Sequence, residues 1–74
     1  MQTITLPLNP ANYFGTLPAV TNLSVGDVLY IGPRDLVEEM TIQSFERDDV
    51  NFIINTDKAI LVATRTTRVN RKDI

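Results

Sequence analysis

The chain has 74 residues, 43% of them hydrophobic and 22% charged, with a net charge of -2; this is ordinary globular usage for one small domain and argues against intrinsic disorder. It contains no cysteine, histidine or tryptophan. That excludes disulfides, thiolate metal sites, a cysteine nucleophile and imidazole acid–base chemistry, and leaves only oxygen ligands for a metal.

Ile, Val and Thr together supply 23 residues and Ala only 4, so the chain leans toward β structure, where branching at Cβ is well accommodated. Residues 2–8 set Ile4, Leu6 and Leu8 against Thr3, Thr5 and Pro7. The alternation predicts a half-buried strand, and Pro7 places it at a sheet edge because proline donates no ladder hydrogen bond. Residues 9–26 have no clean period and hold Pro10, Gly15 and Pro18. They predict a long loop that packs back on the body or an arm that reaches a neighbour. Gly26-Asp27 signals a turn, Val28–Ile31 a short apolar strand, and Gly32-Pro33 its end.

Residues 37–46 place Met40, Ile42 and Ser44 on one side and Glu39, Thr41, Gln43 and Phe45 on the other. A helix capped by Asp35 and Glu38 competes, but Thr41, Ile42 and Phe45 favour a strand. Residues 46–49 read as a polar turn. The next strand, over 50–55, is expected to face Val50, Phe52 and Ile54 inward. Thr56-Asp57-Lys58 makes a turn and Ala59–Thr66 a further strand, so that residues 37–66 form a three-stranded meander. Residues 69–74 add a last short strand or one 3-10 turn.

The predicted fold is all-β: a small five- to six-stranded barrel or a compact two-layer sheet, with a long N-terminal loop or arm. One domain spans 1–74, with the edge strand and arm in 1–26 and the meander body in 27–74. The succession of a Gly-Asp turn, a short apolar strand and a meander is similar in layout to SH3-like barrels.

Charge is unevenly spread. Residues 1–26 carry none, residues 27–49 sum to -5 and residues 50–74 to +3. Strands that pair the two charged stretches would neutralise them; strands that part them would leave two patches. Arg65, Arg68, Arg71 and Lys72 concentrate four of the seven bases and are candidates for contacting phosphates or an acidic protein surface. No aromatic residue lies among them to stack on a base, and a charged edge strand explains them equally well. Tyr13, Phe14, Glu38 and Glu39 are candidate protein contacts. Glu46, Asp48 and Asp49 offer oxygen ligands, but a solvated hairpin turn accounts for them. No histidine stands ready to activate Ser24 or Ser44, and the three glycines are isolated rather than clustered for phosphate binding.

These features predict a protein without catalytic activity, cofactor or metal. The expected role is protein interaction or assembly, with a protein partner or copies of itself. A small structural subunit of a larger complex, such as a virus or phage particle, is a concrete setting. Nucleic-acid binding through the basic segment, or inhibition of a host protein by the acidic stretch, are the alternatives. No cleaved signal is expected at Met1–Thr5, and no run approaches the ~20 apolar residues of a membrane helix. The expected location is therefore the cytoplasm or the interior of a larger particle.

Overall fold

A computed structural model of the chain describes residues 2–6, 16–32 and 36–72. They form one curled six-stranded sheet, a half-barrel. The strands are β1 (Gln2–Thr5), β2 (Val28–Ile31), β3 (Glu38–Arg47), β4 (Phe52–Thr56), β5 (Ala59–Ala63) and β6 (Asn70–Arg71), in the spatial order β1-β5-β4-β3-β2-β6. All pairings are antiparallel except β1 with β5. The expected meander is β3-β4-β5, and β1 lies at an edge as Pro7 implied. One 3-10 turn lies at Val20–Asn22.

The concave face holds the core. Leu29, Ile54 and Leu61 are fully buried there, with Val20, Ile42 and Val69 beside them. Each such side chain contributes roughly 1.5–3 kcal/mol over remaining exposed. Ile4 and Leu6 pack against this core from β1, so the alternation of the first strand holds where it is described.

Three expectations need correction. The pairing of β3 with β4 steps from Ile42↔Thr56 to Ser44↔Asn55, which leaves one extra residue on β3. This bulge reverses the alternation beyond it. Ser44 is therefore exposed, although it was expected to share a face with Met40 and Ile42, and Phe45 turns inward against the core. Val50 was expected inside but is 70% exposed. It sits in a turn closed by Asp48, whose Oδ1 accepts from the N–H groups of Val50 (2.9 Å) and Asn51 (2.7 Å). The strand expected over 59–66 stops at Ala63, because Thr67 Oγ1 accepts from Thr64 N–H (3.1 Å) and Thr67 N–H donates to Thr64 C=O (3.1 Å).

Hydroxyl and carboxylate groups also close the β4–β5 hairpin. Thr56 Oγ1 accepts from Ala59 N–H (3.0 Å) and donates to Ala59 C=O (2.7 Å). Asp57 then continues the ladder to β3: its N–H donates to Thr41 C=O (3.1 Å), and its Oδ1 accepts from Thr41 N–H (2.9 Å). The Ser24–Asp27 turn places Gly26 at φ 95°, the left-handed conformation that a type II turn demands of its third residue. Asp27 N–H donates to Ser24 C=O (3.1 Å).

Of the two expectations for residues 9–26, residues 16–26 follow the first and pack back on the body. Thr16 and Arg71 exchange backbone hydrogen bonds (3.0 and 2.8 Å), Val69 N–H donates to Pro18 C=O (3.2 Å) and Val20 N–H to Thr67 C=O (2.9 Å). Residues 16–20 thus form a strap along the outer edge of β6.

Candidate functional site

Of the residues singled out above, Tyr13 and Phe14 lie outside the described residues. The basic and acidic residues are described, and the sheet brings the two charged stretches together. β2 lies between β3 and β6. Successive side chains on β6 and just beyond it point to opposite faces, which sends Arg71 and Lys72 to different acids. Arg71 lies 3.7 Å from Asp27 Oδ2, while Lys72 Nζ donates to Glu39 Oε1 at 3.1 Å. The Glu39 hydrogen bond, reinforced by its charge, raises the Lys72 pKa above its usual value of 10.5. Arg68 instead donates to Leu17 C=O at 3.1 Å and so ties down the strap. Arg65 is exposed in the Thr64–Thr67 turn. Glu38 is exposed and opposite Ile31; Glu39 is opposite Tyr30. Three of the four bases are engaged within the chain.

Among the described residues no group of three or more Asp or Glu side chains is placed to hold a metal ion. Asp48 is bound to its own turn, and the backbone N–H of Asn51, then that of Val50, holds its carboxyl below the usual 3.8. The hydroxyls of Thr56 and Thr67 close turns.

On the face that carries the core, the described residues outline a shallow groove. It measures about 330 Å³ and is lined by Thr21, Phe45, Glu46, Arg47 and Phe52. The β3 bulge creates it. By reversing the alternation it places Phe45 and Arg47 on the same face as Phe52, its diagonal neighbour across β4. The two rings lie 5.6 Å apart at 53°, within the range for a tilted aromatic pair. Both are half-buried and rest on the core. The 3-10 turn brings Thr21, exposed, to the facing wall. Glu46 points to the opposite face, where its Oε2 accepts from Asn55 Nδ2 at 3.0 Å. Arg47 is thus the charged side chain on the groove face.

The sequence hides this groove. Regular alternation puts Phe45 and Phe52 on different faces, and only the register between β3 and β4 puts them together. The available signal was the pair of aromatic residues flanking a polar hairpin.

No protein-family model, no curated protein and no solved structure matches the chain. Among the described residues, no helix is long and apolar enough to cross a membrane.

Proposed function

We propose that this protein is a non-enzymatic protein-interaction or assembly module that takes an apolar side chain of a partner into the Phe45–Phe52 groove. The observation that carries this reading is an aromatic-floored concavity, open to solvent, with one wall from β3 and β4 and the other from Thr21. Aromatic side chains in a concave, desolvated setting are the usual anchors of protein recognition. The groove face holds one charge, Arg47, so the favoured occupant is an aromatic or long aliphatic side chain with an acidic group beside it. The SH3-like layout belongs to the same proposal: the Gly26-Asp27 turn, β2 and the β3-β4-β5 meander follow one another in that order. A small subunit of a larger particle, such as a virus or phage, and a reducing or intraparticle location remain the setting that size and lack of cysteine suit.

Nucleic-acid binding is less well supported, because Arg68, Arg71 and Lys72 each have a partner within the chain. Mimicry by an acidic face is weakened by the same Glu39–Lys72 contact.

Selection from a random peptide display library tests the groove directly. The wild-type protein is expected to enrich peptides that share an aromatic or aliphatic anchor. Thr21→Arg, made at an exposed position, is expected to weaken them at least about tenfold, a change of about 1.4 kcal/mol. No enrichment, or peptides that bind Thr21→Arg equally well, refutes the assignment. Steeply salt-dependent binding of a mixed-sequence DNA that Arg65→Ala abolishes supports the nucleic-acid reading instead.

A further inference from the structure

The two edges of the sheet are finished differently. The β6 edge carries Arg71 and is covered by the 16–20 strap. β1, at the other edge, pairs with β5 alone among the described residues. Its hydrogen-bonding sense follows from one bond: Leu6 N–H donates to Val62 C=O at 2.9 Å. Backbone groups alternate sides along a strand, so Ile4 also faces β5, and the N–H and C=O of Thr3 and Thr5 face outward.

Natural sheets guard such an edge with short strands, charge, proline or a bulge. The described β1 is short, and Pro7 follows it in the sequence, but the strand itself carries no charge, proline or bulge, and no residue before Asp27 is charged. Beside this edge, the convex face is also apolar. Ile54 and Leu61 point into the core, so Ile53, Ile60 and Val62 point the other way. Ile53 pairs with Val62, while Thr3 and Thr5 of β1 lie opposite Ile60 and Val62.

We propose that β1 is a homodimerisation edge: two copies pair their β1 strands antiparallel about a two-fold axis and join two half-barrel sheets into one. A second copy is the occupant the edge chemistry selects. In an isologous contact residue i meets residue j and j meets i, so an edge carrying one sign of charge repels its own copy, whereas this uncharged edge brings no like charges together. The alternation also closes the register. Thr3 of one copy faces Thr5 of the other and each both donates and accepts, while Ile4 meets Ile4 on the axis. Thr–Thr and Ile–Ile are favourable cross-strand pairs. The rotation keeps convex faces on the same side, so the two Ile53–Ile60–Val62 patches flank a central row of threonines. A four-residue strand makes a small contact, which places this dimer among weak, transient ones. It uses a surface separate from the groove.

Sedimentation equilibrium of the full chain from about 10 µM to about 1 mM tests the proposal, with the range set by the weak affinity class. A monomer–dimer equilibrium is expected that is unchanged between low and high salt, because no charge is brought together. Thr5→Pro removes an outward N–H that β5 does not use, and Thr3→Lys puts like charges in the contact. Each is expected to weaken the dimer at least about tenfold. Thr21→Arg, which fills the groove, leaves the dimer intact, so the two assignments fail separately. Amide hydrogen exchange on the wild type provides a measurement free of folding defects. Protection of Thr3 and Thr5 rises with concentration, while Ile4 and Leu6 are protected throughout. A monomer at every concentration, a dimer dissolved by salt, or protection of Thr3 and Thr5 independent of concentration overturns the proposal.

Discussion

Thr56→Val tests how the β4–β5 hairpin is closed. Valine keeps the branched shape and removes only the hydroxyl. Thr56 is fully buried and Ala59 is 1% exposed, so water has no easy access to the groups left behind. The chief group is the N–H of Ala59, from which the hydroxyl accepts at 3.0 Å; the Ala59 C=O, which accepts from the hydroxyl at 2.7 Å, also faces the Thr56 N–H across the hairpin. Each buried backbone group left without a partner costs about 1–3 kcal/mol. The added apolar burial returns less than about 1 kcal/mol. The third contact, from Lys58 N–H at 3.3 Å, is longer and near the surface, where solvent replaces it. The expected net loss is about 1–2 kcal/mol. A chain of this size has a total stability of about 4–11 kcal/mol, so the melting temperature should fall by roughly 4–16 °C. Urea unfolding followed by circular dichroism measures it. Thr56→Ser, which keeps the hydroxyl and loses one methyl, should cost only about 1 kcal/mol. A loss under about 0.5 kcal/mol for Thr56→Val would refute the reasoning, since the turn backbone would then pair without the side chain.

Two further pairs of substitutions separate other local causes. Asp48 has a lowered pKa, set first by Asn51 N–H and then by Val50 N–H; its stabilisation is present above 3.8, its unfolded value, and is lost as pH falls through the lower folded value. Asp48→Asn keeps an accepting Oδ1 and should flatten the acid limb of the stability–pH curve, whereas Asp48→Ala should weaken the hairpin at every pH; urea midpoints at a series of pH values distinguish them. Gly26→Ala should cost about 1–2 kcal/mol, the ordinary penalty of a left-handed residue, because its Cβ meets nothing within 4 Å. Gly32→Ala should cost more, because at φ 118° its Cβ would also lie 2.9 Å from Leu36 C=O, and equal losses in urea titrations would count against the contact.

Local pattern carried most of the fold. β2, the meander and the inward side chains of β1 follow from two-residue alternation bounded by Gly, Asp and Asn, and these are short-range signals. The register was not legible. The extra residue, Gln43, has no marker of its own in the sequence, and it decides that Phe45 rather than Ser44 faces in. Val50 misled for a related reason: its β-branched side chain fits a strand, but Asp48 captures its N–H for a turn. The ends of β5 and the β4–β5 turn depend on single hydroxyls of Thr67 and Thr56, and threonine serves equally as a strand residue. The basic segment was visible as composition; its ion pairs with Asp27 and Glu39 required knowing that β6 adds to β2.

The uncharged first third of the chain illustrates how composition connects with pairing. Thr16–Val20 carries no charge and is used for backbone: its N–H and C=O groups pair with 67–71, while Arg68 and Arg71 belong to the other member of the pairing. β1 has the same uncharged, threonine-containing character, yet it uses only alternate backbone groups in its pairing with β5. Side-chain recognition of a charged partner would leave acids or bases on such a segment, as it does elsewhere in the chain. A segment with none is suited to recognition by main-chain hydrogen bonds, in which specificity comes from register and from the fit of small side chains on each face. Thr3 and Thr5 outward, with Ile4 against the core, meet that description on both faces of one strand.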